Sequence, residues 1–73
     1  MSNETKFLID TLTSNLVVKV MEEFGYSISE AMDAVYNSQV YDKILDQETG
    51  LYFQSAGYNY ELLRKELRTG KYI

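Results

Sequence analysis

Any chemistry this chain of 73 residues performs must rest on Ser, Thr, Tyr, Lys, Arg and carboxylates, because it contains neither His nor Cys. General acid–base work near neutral pH usually recruits His, and thiol nucleophiles are excluded outright. No Ser stands three residues before a Lys as in S-x-x-K, and no G-x-S-x-G elbow occurs. Asp46, Glu48 and Gly50 approximate the start of a calcium loop. The glycine, however, falls one place early, and the twelfth position is Gly57 where a bidentate Glu is required. The TGK at 69–71 lacks the upstream glycine and the following Ser or Thr of a phosphate-binding loop. The chain is therefore expected to be non-enzymatic, with no catalytic residue, no cofactor and no metal site.

What remains is binding, and the seven tyrosines are the compositional feature that bears on it. Tyr36, Tyr41, Tyr52, Tyr58 and Tyr60 fall in the second half. Each can bury its ring and keep its hydroxyl wet, as small helical domains do, or some can form an exposed aromatic patch of the kind enriched in binding hot spots. The candidate partner-binding residues are Tyr36, Tyr41, Leu51 and Tyr52.

Length allows one domain, 1–73, burying ~60% of the surface its unfolded chain exposes. A core this small is usually supplemented by a disulfide, a metal or a partner subunit. With the first two absent from the composition, regular helix packing and oligomerisation remain. The net charge is −4, which argues against general nucleic-acid binding. Residues 22–48 hold seven acids, Glu22, Glu23, Glu30, Asp33, Asp42, Asp46 and Glu48, against Lys43 alone, whereas Arg64, Lys65, Arg68 and Lys71 crowd the end. The cations complement a terminal helix dipole and the acids keep the surface solvated, or an acidic face meets a basic partner. The longest apolar run, LVVKVM at 16–21, is interrupted by Lys19 and far too short to span a bilayer. The start MSNETK does not resemble a signal peptide. Cytoplasm is the expected location.

The elements that would position a binding surface are helical. Leu8, Leu12, Leu16, Val20 and Phe24 recur every four positions, with Ile9, Val17 and Met21 alongside. That spacing predicts a helix from about Asn3 to Phe24, stopped by Gly25. Ser27 and Glu30 form a capping-box pattern opening a second helix, with Ile28, Ala31, Met32, Val35 and Tyr36 on one face. Ser38 can cap a third piece, QVYDKILD, with Val40, Tyr41, Ile44 and Leu45 inward; periodicity leaves open whether the second and third are one kinked rod. DQETG is turn chemistry in which Gly50 relieves a positive φ. LYF at 51–53 reads as a brief extended run. Ser55 caps a last helix from about Ala56 to Arg68, with Tyr60, Leu63 and Leu67 inward, Gly57 in its first turn and Gly70 as its stop. The fold class is all-α, a small bundle of three to four helices with a short irregular segment before the last.

LYFQS, residues 51–55, is also the core of a plant-virus protease site used to remove expression tags. A tag linker sits at a domain edge with Glu five residues before the Gln. Here the motif lies between amphipathic segments, and Glu48 is six residues before Gln54. Native packing aromatics followed by a helix cap is the better reading.

Two resemblances attach to these residues. Tyr36, Ser38, Tyr41, Asp46, Glu48, Thr49, Leu51 and Tyr52 fit Y-x-S-x-x-Y-x-x-L-x-D-x-E-T-x-L-Y, with Ile44 where Leu is expected. Followed by Ser55 and an amphipathic helix, this resembles an uncharacterised family of short, acidic, helical bacterial proteins. The resemblance implies a small helical domain with no assigned activity and an accessory, antitoxin-like role. FGYSISEAMDAV, 24–35, is similar to the first loop and second helix of ubiquitin-associated three-helix domains, with Phe24 in place of Met and a shorter connection afterwards.

The expected function is that of a protein–protein interaction module, a homodimer through the first helix with an unknown protein partner as well. The alternatives are a ubiquitin-associated-like binding domain and a helix-turn-helix DNA-binding regulator. The latter needs basic or amide side chains on the second helix of its pair, where QVYDKILD offers Gln39 and Lys43 beside two Asp.

Overall fold

The computed structural model describes residues 2–72. It contains four helices, α1 Asn3–Phe24, α2 Ile28–Tyr36, α3 Gln39–Leu45 and α4 Ala56–Thr69, with two 3₁₀ turns at Gln47–Thr49 and Leu51–Phe53 between α3 and α4. No strand occurs among the described residues.

Every α-helix opens on a serine whose hydroxyl accepts an otherwise orphaned backbone N–H. Ser2 accepts from Thr5, Ser27 from Glu30, Ser38 from Tyr41 and Ser55 from Tyr58. At α2 the box is reciprocal, with the Glu30 carboxylate taking the Ser27 N–H at 2.9 Å. Gly25 and Gly70 end α1 and α4 in the left-handed region, at φ 69° and 84°, a conformation that costs glycine nothing.

α2 and α3 are separate. Ser38 is extended, at φ −80° and ψ 153°, and its hydroxyl donates to the Val35 carbonyl at 2.7 Å while accepting from the Tyr41 amide at 3.0 Å. One buried hydroxyl thus closes one helix and opens the next.

The core joins Ile9, Leu12, Leu16, Val17 and Val20 of α1 to Ala31 and Val35 of α2, Val40 and Ile44 of α3, and Tyr60 and Leu63 of α4. The four-residue stripe expected on α1 drifts, because 3.6 residues make a turn. Leu8 turns out to solvent and Thr13 turns in. The Thr13 hydroxyl is satisfied by donating to the Ile9 carbonyl at 2.7 Å. Several other expectations are corrected. On α2 only Ala31 and Val35 are buried, while Ile28, Met32 and Tyr36 are exposed, and so is Leu45 on α3. α2 packs into the core through Ala31 and Val35, both fully buried, and the flank carrying Ile28, Met32 and Tyr36 is left outward. Leu51–Phe53 is a 3₁₀ turn and not an extended run. Gly50 enters it at φ 70°, and the Phe53 and Gln54 amides donate back to Gly50 and Leu51 at 3.1 and 3.0 Å.

Two side chains from α4 fix this arrangement. The Glu66 carboxylate accepts the Gln39 and Val40 amides at 2.7 and 3.0 Å, serving as a second N-cap for α3 from a different helix. Fully buried Asn59 donates from Nδ2 to the carbonyls of Leu51, Ser55 and Gln54 at 2.9, 3.1 and 3.4 Å, binding the segment before α4 to the helix it precedes.

Candidate interaction groove

The apolar side chains that α2 does not bury lie beside α1. Ile28, Met32 and Tyr36 recur four residues apart along α2, and face Ser14, Val17, Val18 and Met21 of α1 across a groove of about 240 Å³. Ile28 is 61% exposed, Tyr36 46% and Val18 51%. From Ile28 to Tyr36 the wall rises about 12 Å at 1.5 Å per residue, the length of about two turns of a docked helix. Exposed apolar side chains scattered singly are ordinary, whereas these line one groove together.

Tyr36 and Tyr41 come together as an edge-on pair, ring centroids 5.0 Å apart at 81°. Tyr41 is half-buried behind Tyr36 and braces it. Burial raises the Tyr41 hydroxyl above the ordinary tyrosine value, with smaller contributions from Tyr36 and from Asp10 on α1, so it stays protonated. Leu51 and Tyr52 lie elsewhere. Both are partly buried against the core, and Tyr52 faces the N-terminal half of α1 with Phe53 stacked on it at 4.4 Å. The four candidate residues therefore divide between two surfaces. Val18, Ile28 and Met32 carried no signal separating them from core positions, since a stripe of helical period does not say what covers it.

The groove's charge is one-sided. Glu22 lies one turn beyond Val18 on α1, and Asp33 stands beside Met32 and one turn before Tyr36 on α2, neighbours by helical spacing. Both are exposed, and neither takes part in an ion pair among the described residues. The terminal cations are turned elsewhere. Arg64 Nε and Arg68 donate to one oxygen of Glu23 at 2.7 and 2.5 Å, and the Tyr60 hydroxyl donates to the other at 2.6 Å. This clasp ties the end of α1 to α4. The Tyr60 hydrogen bond, then the Arg64 and Arg68 charges, hold the Glu23 carboxyl below its ordinary value of 4.5. A depressed folded pKa contributes stability that is present above the unfolded pKa and lost as pH falls through the folded one. Thermal stability should therefore fall as acid is added below about pH 4.5, and Glu23→Gln should flatten that part of the profile while lowering the plateau. A variant with an unchanged acid limb would show that the clasp contributes nothing.

No group of three or more Asp or Glu side chains among the described residues is placed to hold a metal ion. No described helix is long and apolar enough to cross a membrane. α3 presents Asp42 and Lys43 to solvent and ends at Asp46. No protein-family model, curated protein or solved structure matches the chain.

Proposed function

We propose that the protein is a non-enzymatic interaction module whose α1–α2 groove receives an amphipathic helix with a basic flank from a partner protein. The observation that carries this reading is the exposure of Val18, Ile28, Met32 and Tyr36 along one groove with free carboxylates, Glu22 and Asp33, beside both walls. Two helical ridges leave a channel suited to a third helix bearing apolar anchors at i, i+3 or i+4 and i+7. Methionine adapts to the incoming surface, and tyrosine supplies a large anchor at low entropic cost. The unpaired acids select for Lys or Arg on the flanks and accelerate encounter with them. The helix-turn-helix alternative is disfavoured by the same charges, because Asp33, Asp42 and Asp46 along α2 and α3 would face phosphates.

The test uses a labelled Leu–Lys amphipathic helical peptide and its Leu–Glu counterpart. The basic peptide should bind saturably and the acidic one should not. Tyr36→Ala should weaken binding by at least about thirtyfold, as loss of a hot-spot side chain does, and Asp33→Asn should weaken it less and reduce its salt dependence. Equal binding of both peptides, or indifference to Tyr36→Ala, would overturn the reading.

A further inference from the structure

A second face of the molecule is distinguished by what it lacks. Residues 11–18, TLTSNLVV, carry no charge. On α1 the exposed positions Phe7, Leu8, Thr11 and Asn15 form an uncharged outward line, with Glu4 before it and Glu22 beyond it. The solvent-facing sides of α3 and α4 are instead studded with Asp42, Lys43, Glu61, Lys65 and Arg68. The exposed charges nearest this line, Lys6 and Asp10, pair with each other on its flank at 3.4 Å. Next to the line the second 3₁₀ turn holds Phe53 out at 71% exposure, matched on α1 by Phe7 at 68%. Phe53 is stacked on Tyr52 and lies beside Leu8 and Asn15.

We infer that this face, Phe7, Leu8, Thr11, Asn15, Phe53 and Gln54, is where a second copy of the chain docks, with the two-fold axis passing close to Thr11. An isologous interface brings each surface residue against the same patch of its partner. In a molecule of net charge −4, a charged face would there oppose its own sign. The uncharged line on α1 is free of that penalty. Thr11 and Asn15 are small enough for two helices to approach closely, and the two phenylalanines supply apolar area on either side. Glu4 and Glu22 bound the line at its ends, at the rim of the contact, where solvent screens them. A stable interface buries ~800 Å² on each partner, about a sixth of the 4678 Å² that one chain exposes, which a 22-residue helix and the adjoining turn can furnish. The α1 seam of Leu12, Leu16 and Val20 is buried within one chain, so association through α1 must use this outer face. Ser14 and Val18, next along α1, line the groove, so the two surfaces adjoin on α1, while the groove's α2 wall of Ile28, Met32 and Tyr36 lies outside the contact.

Sedimentation equilibrium on the full chain tests this. The wild type should shift with concentration from 8.5 kDa toward twice that mass. Thr11→Lys places like charges together at the axis while favouring the helix, so it should weaken dimerisation by about tenfold or more with unchanged circular dichroism. Phe53→Ser should do the same, and Tyr36→Ala in the groove should leave the dimer intact. A wild type that stays at 8.5 kDa up to its solubility limit, a dimer indifferent to both Thr11→Lys and Phe53→Ser, or one broken by Tyr36→Ala would overturn the inference.

Discussion

Asn59→Asp is expected to destabilise the protein at neutral pH by roughly 3–5 kcal/mol, the cost of leaving an uncompensated charge buried. Asn59 is fully buried, and its amide nitrogen is directed at the carbonyls of Leu51, Gln54 and Ser55. The substitution replaces that donor with a negative oxygen facing three others. Burial and those carbonyls would raise the pKa of the introduced carboxyl, so its penalty applies above the ordinary aspartate value of about 4 and fades below it. Urea unfolding should show the gap between variant and wild type narrowing as pH falls toward that value. Asn59→Leu should cost less, about 1–3 kcal/mol, since it leaves carbonyls without a donor but buries no charge. It also removes Asn59 Oδ1, which has no hydrogen-bond partner among the described residues. A second readout is available because the latched segment is LYFQS. A protease must draw such a segment out by local unfolding, so chymotrypsin should cut after Tyr52 or Phe53 slowly in the wild type and faster in the variant. Near-native stability of Asn59→Asp at neutral pH would show that the amide does not hold this segment.

Glu66→Ala is expected to cost about 1.5–3 kcal/mol, the range for hydrogen bonds to a charged acceptor. The Val40 amide belongs to a fully buried residue and would lose its acceptor, whereas exposed Gln39 recovers water. α3 has seven residues, too few to hold its shape without tertiary contacts, so the loss should appear as early hydrogen exchange across Gln39–Leu45 as well as in the unfolding midpoint. Glu66→Gln keeps one carbonyl acceptor and should recover about half of the effect. Equal behaviour of the two variants would locate the contribution in the charge and not in the pair of bonds.

The capping signals were legible because they are local. Ser27 with Glu30, Ser38, Ser55, Gly25, Gly50 and Gly70 act over two to four residues, and the structure uses each of them as its spacing suggests. The turn chemistry of DQETG belongs with them, since Asp46 Oδ1 accepts the Glu48 amide and Thr49 donates back to Lys43 and Asp46. Asn59 and Glu66 were not legible. On a helix each reads as an ordinary polar residue, and Glu66 acquires its role from backbone 26 and 27 residues away. Asn59 binds nearer residues, but only after Gly50 has turned Leu51–Phe53 into a 3₁₀ turn whose carbonyls point back at α4. The candidate site was half legible. Tyr36 and Tyr41 were marked by residue type, but Met32 and Ile28 belong to the same stripe as Ala31 and Val35. Only the angle at which α2 meets α1 decides which of them the chain covers itself.

An amide-resolved NMR titration of the folded protein with the Leu–Lys peptide tests the proposed occupant of the groove most directly. Saturable shifts should gather at Val17, Val18, Met21, Ile28, Met32 and Tyr36 and vanish with the Leu–Glu peptide. Shifts centred on α4 or on Phe53, or none at all under conditions where the peptide is helical, would contradict it.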